Sequence, residues 1–312
     1  MNPQEILALN TTKTEKIKLL LELGLSRKQV TEIDQLQVRY GFVQNVFAKY
    51  FPDQVQSRSR SARRQEARNI RRFIRKFGVE IEAYGVDKRA LQLALDREGV
   101  EIKIENYNHT TRNHWKIVYD SSLEGDLSFE LVSPPLKGEK GLKEVEKVCE
   151  ILEDLNAKIN KTCGLHIHFE AKNFTMQTWR NLALNYKKLE SEIDSFMPRS
   201  RRTGNRYCQS LRQISDRKIK QAQTVNDLQR AFTTRYRKVN INSYARHKTI
   251  EFRQHSGTVE YAKISNWILF LDGLVHYSEN HQIARADFNE IEKFTTPATF
   301  SYLTNRKAHF TN

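Results

Sequence analysis

The 312-residue sequence predicts an α+β protein preceded by a small all-α unit. Three observations carry that expectation. Four short segments alternate apolar and polar residues with a period of two. Longer stretches with helical apolar spacing separate them. The first 56 residues show helical spacing alone. The expected organisation is a helical unit over 1–56, an arginine-rich linker or helix over 57–76 and a larger body over 77–312.

In the N-terminal unit, Ile17, Leu19, Leu20, Leu21 and Leu23 form one helical face, Thr14 can cap it and Gly24 ends it. Ser26 caps a second short helix through Gln29, Val30 and Ile33. A third is expected over 40–49, with Phe42, Val43, Val46 and Phe47 inward. This succession resembles a helix-turn-helix unit. The resemblance implies that Gln44, Asn45 and Lys49 meet DNA, with residues 14–76 as the contact region. The competing reading is a three-helix module for protein contacts.

Charge is uneven. The chain carries 52 Lys and Arg against 37 Asp and Glu, net +15. Residues 57–76 hold nine basic side chains and one acid, Glu66, which is more than half of that excess. Such a block is a phosphate-binding arm or a solvated connector, and the balance suits a polyanionic partner. Residues 267–275 form the longest apolar candidate for a membrane span. Asp272 and Gly273 interrupt it, far short of the ~20 residues needed. Three cysteines, Cys149, Cys163 and Cys208, make no disulfide framework. With no signal-peptide pattern at the start, the expectation is a cytoplasmic protein away from membranes.

The body carries the chemistry. In Phe77-Gly78-Val79-Glu80-Ile81-Glu82, the apolar residues point one way and Glu80 and Glu82 the other. Ser128-Phe129-Glu130-Leu131-Val132 repeats the pattern before Pro134 and Pro135 stop it. Cys163-Gly164-Leu165-His166-Ile167-His168-Phe169 sets both histidines opposite its apolar face. Thr249-Ile250-Glu251-Phe252-Arg253 does the same for Glu251 and Arg253. Helical patterns over 142–155, 179–196 and 259–277 follow or separate these strands. The stretch 199–222 reads as a polar, basic lid or insertion, and 297–310 as a last helix.

Any one of these strands is an ordinary solvent face. Side by side, however, four carboxylates repel unless cations neutralise them. Carboxylates with a minor share of imidazole suit Mg²⁺ or Mn²⁺ better than Zn²⁺. The donors outnumber what one hard ion needs, so two metals are expected. Metals beside Arg253 point to phosphoryl chemistry. The residues leave other readings open. His166, His168 and Glu251 would also suit a metal-dependent hydrolase. The N-terminal helices would suit a DNA-binding regulator whose body senses a ligand. Arg253 and Glu251 alone would be a surface ion pair.

These strings, together with Trp115-Lys116-Ile117-Val118-Tyr119-Asp120-Ser121-Ser122, Val132-Ser133-Pro134-Pro135, Arg201-Arg202 with Asn205, Tyr207 and Cys208, Asn240, and Gly257-Thr258, resemble the amidoligase family. That family belongs to the carboxylate-amine ligases, alongside glutamine synthetase and glutamate-cysteine ligase. Ser121 departs from the pattern, which has Gly after the Asp. The resemblance implies a curved antiparallel sheet, a half-barrel with helices on its outer face. It implies that ATP phosphorylates a small-molecule or peptide carboxylate and that an amine then displaces phosphate to give an amide. By the same resemblance, Glu80, His166 and Glu251 hold the metal on the ATP phosphates, and Glu82 and Glu130 hold a second metal. Arg253 stabilises the transferring phosphoryl group. His168 contacts nucleotide or orients a ligand. Asp120 and Ser122 bind a substrate, and Arg201 and Arg202 close over phosphates from a mobile loop.

Overall fold

The computed structural model describes residues 1–51, 73 and 75–311. The arginine-rich block therefore lies outside the described residues, apart from Phe73, Arg75 and Lys76. Arg75 serves the fold: it donates to Glu170 O at 3.0 Å, pairs with Glu279 and lies over the Phe174 ring.

The N-terminal helices are α1 (Pro3–Ala8), α2 (Lys13–Glu22), α3 (Arg27–Thr31) and α4 (Tyr40–Tyr50). Sequence reading missed α1, although Asn2 and Glu5 form a complete capping box around Pro3. Thr12, not Thr14, caps α2, and Ser26 with Gln29 boxes α3 as expected. Gly24 leaves α2 at φ +96°, a conformation that suits a residue without Cβ. Ile17, Leu20, Val30, Phe42, Val43 and Val46 bury together in a core separate from that of the body.

Helix α4 is turned toward the body. Lys49 Nζ lies 2.9 Å from Glu150, Arg39 reaches Glu260 at 3.6 Å, and Lys13 bonds Asn156. Gln44 accepts a hydrogen bond from Arg27 at 2.8 Å. Two of the three residues expected to meet DNA, Gln44 and Lys49, are thus engaged within the chain.

The body is built on an eight-stranded sheet with β1 (Lys76–Ala83), β2 (Ile102–Ile104), β3 (Trp115–Val118), β4 (Phe129–Val132), β5 (Leu136–Lys137), β6 (Gly164–Glu170), β7 (Val239–Asn240) and β8 (Thr249–Ser256). The order is β2-β3-β4-β1-β6-β8-β7, with β5 on β1. All pairs are antiparallel except β2 with β3. The α+β expectation holds. The helices are α5 (Lys88–Arg97), α6 (Gly138–Asp154), α7 (Met176–Ser195), α8 (Asp216–Gln221), α9 (Val225–Phe232), α10 (Ser243–His247), α11 (Tyr261–Ser278) and α12 (Pro297–Thr311). Phe77, Val79, Ile81, Leu131, Ile167, Phe169 and Phe252 bury one sheet face against α6, α7 and α11 in one continuous core. That leaves the opposite face free for polar side chains. No described helix is long and apolar enough to cross a membrane.

The stretch 199–222 is less open than a lid. Arg201, Cys208, Leu211, Ile214 and Ile219 are buried. Behind it Lys238, fully buried, pairs with Glu190 at 2.9 Å and Asp194 at 2.5 Å. Asp194 also accepts from Gln254 at 2.6 Å.

Where α6 meets the N-terminal unit, Glu153 carries a buried oxygen without a hydrogen-bond partner. Burial raises its pKa from 4.5 to about 9; Glu260 and Asp154 add to the rise, and Arg39 and Lys263 oppose it. The folded state therefore favours the protonated acid. Glu153 costs nothing below the unfolded pKa near 4.5, and stability falls as pH climbs from there through 9, at roughly 1.4 kcal/mol per unit. Glu153→Gln is expected to raise Tm at pH 8 and to flatten the alkaline loss. Thermal melts of both proteins from pH 5 to 9 would check this; parallel curves would refute it.

Candidate active site

Strand register builds the site. Glu82 faces Glu130 across β1 and β4, and Glu80 faces His166 across β1 and β6. His168 faces Glu251 across β6 and β8, and Glu251 faces Asn240 across β8 and β7. Partners across a ladder share a face. All five carboxyl and imidazole positions expected to bind metal therefore converge on the side away from the helices.

His166 sits between them. Its Nδ1 is 3.0 Å from Glu80 and 3.7 Å from Glu251, and its Nε2 is 3.7 Å from Glu82. Two triads result, Glu80–His166–Glu251 and Glu82–Glu130–His166, each with ligand atoms within 4.8 Å of one another. The residues fall together in the same two groups that the resemblance implies, with His166 in both. Glu82, Glu130, His166 and Glu251 are buried, and Glu80 is half-buried. His168 Nε2 reaches Glu80 at 3.1 Å while its Nδ1 meets Thr249 at 3.0 Å.

The charges are poorly balanced without cations. Burial pushes the Glu130 carboxyl well above its ordinary range, and Glu80, Glu82 and Asp120 push it further. Burial would also raise Glu80, but His168 and His166 outweigh it and hold that group well below 4.5. Glu251 is likewise held low, by Arg253 and His168 against its own burial. Burial would lower His168, yet Glu80 raises it. An oxygen-rich, crowded donor set of this kind fits Mg²⁺ or Mn²⁺.

The triads floor a cleft of about 1070 Å³ that also includes Asp120, Ser122, Arg201 and Arg253. Arg253 pairs with Glu251 and donates to Tyr207 O at 3.3 Å. Arg201 is buried and anchored on Cys163 O, at the cleft floor rather than on a loose loop. Arg202 is not brought in: it donates to Met197 O at 2.8 Å and packs over Phe310. Asp120 Oδ1 accepts from Ser122 N at 2.7 Å, so that carboxylate closes its own turn. Ser121 is not among the positive-φ residues, which explains why serine serves where the family pattern has glycine.

Sequence reading named Asn240 within the resemblance but gave it no role; it donates to Glu251 at 2.5 Å. Lys116, quoted in the same resemblance, likewise had no role assigned; its ammonium holds Asn108 O at 2.9 Å and Thr110 O at 3.1 Å. Burial pushes that ammonium down from its ordinary pKa. The alternation Trp115-Lys116-Ile117 was the available signal, because it puts Lys116 on the acidic face. The basic rim of Arg206, Arg235 and Arg246 gave no such signal.

Gly164 explains the glycine that opens β6. Its N–H donates to Glu82 at 2.5 Å, and an added Cβ would lie 2.9 Å from His166 Nε2 and 3.1 Å from the Arg201 guanidinium. Gly164→Ala is expected to displace Glu82 or His166 and weaken Mn²⁺ binding about tenfold, with a small change in Tm. Calorimetric titration with Mn²⁺ checks it, and an unchanged affinity would refute it.

No curated protein matches the sequence. One solved structure, described as "Crystal structure of novel glutamine synthase homolog", is similar with a TM-score of 0.42 at 12% identity, covering 81% of this chain and 70% of that one. Residues 74–275, the span holding all eight strands and the whole cleft, match the family described as "Putative amidoligase enzyme", and the chain belongs to that amidoligase family.

Proposed function

We propose that this protein is an ATP-dependent carboxylate-amine ligase working at a two-metal site. A substrate carboxylate oxygen takes the γ-phosphoryl group of ATP, releasing ADP. The amine nitrogen then bonds to the acyl carbon, phosphate leaves, and the amine loses a proton to give the amide. The observation that carries this reading is the pair of carboxylate triads sharing His166 beside a guanidinium.

Glu80, His166 and Glu251 would hold one Mg²⁺ or Mn²⁺, and Glu82 and Glu130, with His166 as the common edge, a second. Such ions neutralise phosphate oxygens and polarise the acyl oxygen. Asn240 fixes the Glu251 carboxylate from the side opposite Arg253. Gly164 N–H fixes Glu82, and His168 pins Glu80 while Thr249 and Ser243 pin His168. Donors held in this way cost little reorganisation when charge develops. Arg253 would face the transferring phosphoryl group. Asp120 and Ser122 would line the substrate end, with the Asp120 carboxylate already engaged by its own turn.

Phosphate release with ATP and Mg²⁺, measured over a panel of amino acids, peptides and amines, tests the proposal. Release that requires both a carboxylate and an amine is expected, with an amide product by mass spectrometry. Metal-dependent hydrolysis of substrates without ATP would replace this reading with that of a hydrolase.

A further inference from the structure

We propose that Tyr207 and Tyr236 form a stacking platform for the purine base of the nucleoside triphosphate. The proposal rests on the ATP-dependent reading above and assigns one wall of the cleft to the nucleotide. The two tyrosines come from segments 29 residues apart in sequence. A short parallel pairing joins them: Gln209 N donates to Tyr236 O at 2.7 Å and Lys238 N to Gln209 O at 3.0 Å. Asn205 fixes the approach by accepting from Tyr207 N at 2.7 Å and Cys208 N at 3.2 Å. The rings meet edge to face with centroids 5.8 Å apart.

Both rings line the cleft, and Tyr207 is 41% exposed. Aromatic surface exposed on a cleft wall gains by stacking on a flat ligand. Guanidiniums frame the pair: Arg206 over Tyr207 at 5.7 Å, Arg235 over Tyr236 at 5.0 Å and Arg253 over Tyr236 at 6.0 Å. Of these, Arg253 joins the rings to the first triad, and Arg206 and Arg235 add positive charge to the same cleft, as a polyphosphate needs. The order is continuous. Tyr207 O accepts from Arg253, Arg253 pairs with Glu251, and Glu251 belongs to the first triad. Base, phosphates and metal follow one another in a nucleoside triphosphate in that same sequence.

The test titrates full-length protein with two probes in Mg²⁺, a non-hydrolysable ATP analogue and inorganic tripolyphosphate, which lacks a base. Tyr207→Ala and Tyr236→Ala are each expected to weaken the analogue about tenfold, the effect of losing one base–aromatic stack. Tripolyphosphate affinity should move less than about twofold, and Tyr236→Phe should restore analogue binding. Unchanged analogue affinity in both alanine variants would overturn the platform while leaving the ATP reading in place. So would equal losses for both probes, which would mark the tyrosines as structural supports. A wild-type protein that binds neither probe would overturn the ATP reading and the platform with it.

Discussion

Glu80→Gln should lower ATP turnover about 1000-fold while leaving the fold intact. The carboxylate reaches His166 with one oxygen and His168 with the other, at 3.0 and 3.1 Å, and it belongs to the first triad. Glutamine keeps the shape and loses the charge. A metal at this site would supply several kcal/mol of charge stabilisation. Losing about 4 kcal/mol of it corresponds to about 1000-fold in rate. Stability should respond differently. Glu80 is a leading cause of the raised Glu130 carboxyl and also repels Glu251. Removing its charge relieves both but also gives up the ionised form that His168 and His166 favour in the fold, so the metal-free variant should melt somewhat below the wild-type temperature while still folding. Binding to the native state alone stabilises by mass action. Added Mg²⁺ should therefore raise Tm of the wild type and have little effect on the variant. Wild-type turnover in Glu80→Gln would remove the site assignment. A variant that fails to fold would show that the carboxylate is a structural partner of the two histidines.

The sequence made this face legible because period-two alternation is a strong constraint. Once Val79 and Ile81 go to the core, Glu80 and Glu82 must point the other way, and the same holds for His166, His168 and Glu251. Register then decided which groups meet, and it depends on long-range pairing that alternation does not encode. Sharing of His166 between two triads follows from Glu80 facing His166 and Glu82 facing Glu130. Asn240 was left without a role because β7 has two residues, too short to show any period. Arg202 was misplaced for the opposite reason. Neighbours at the end of a 3₁₀ turn diverge by about a third of a revolution, so Arg201 enters the cleft while Arg202 turns to Met197 and Phe310. The docking of α4 had no local signature either, because Lys49 and Glu150 are 101 residues apart. Helical spacing showed that α4 was amphipathic and left its polar partner open.

Arg253→Lys should reduce kcat about 1000-fold, at the lower end of what an arginine in phosphoryl transfer supplies, with a smaller change in KM for Mg·ATP. The β6–β8 register shifts between Leu165 and Ile167, so Arg253 and Gln254 both oppose His166. A bulge of this kind re-aims side chains. Here Gln254 turns back to Tyr186 and Asp194, and Arg253 turns into the cleft. Nε of Arg253 donates to Tyr207 O and Nη1 to Glu251, which fixes the plane of the guanidinium. Nη2 makes no hydrogen bond among the described residues and is available to a phosphoryl oxygen. Lysine keeps the positive charge that holds Glu251 low, and with it the first metal triad. It loses the planar fork, which a single ammonium cannot reproduce. The substitution therefore separates geometry from charge: Mn²⁺ affinity should stay within about threefold of wild type while turnover collapses. Turnover within tenfold of wild type would mean that the arginine acts only as the counter-ion of Glu251. Joint loss of Mn²⁺ binding and turnover would place its role in holding the triad and not in the transferring group.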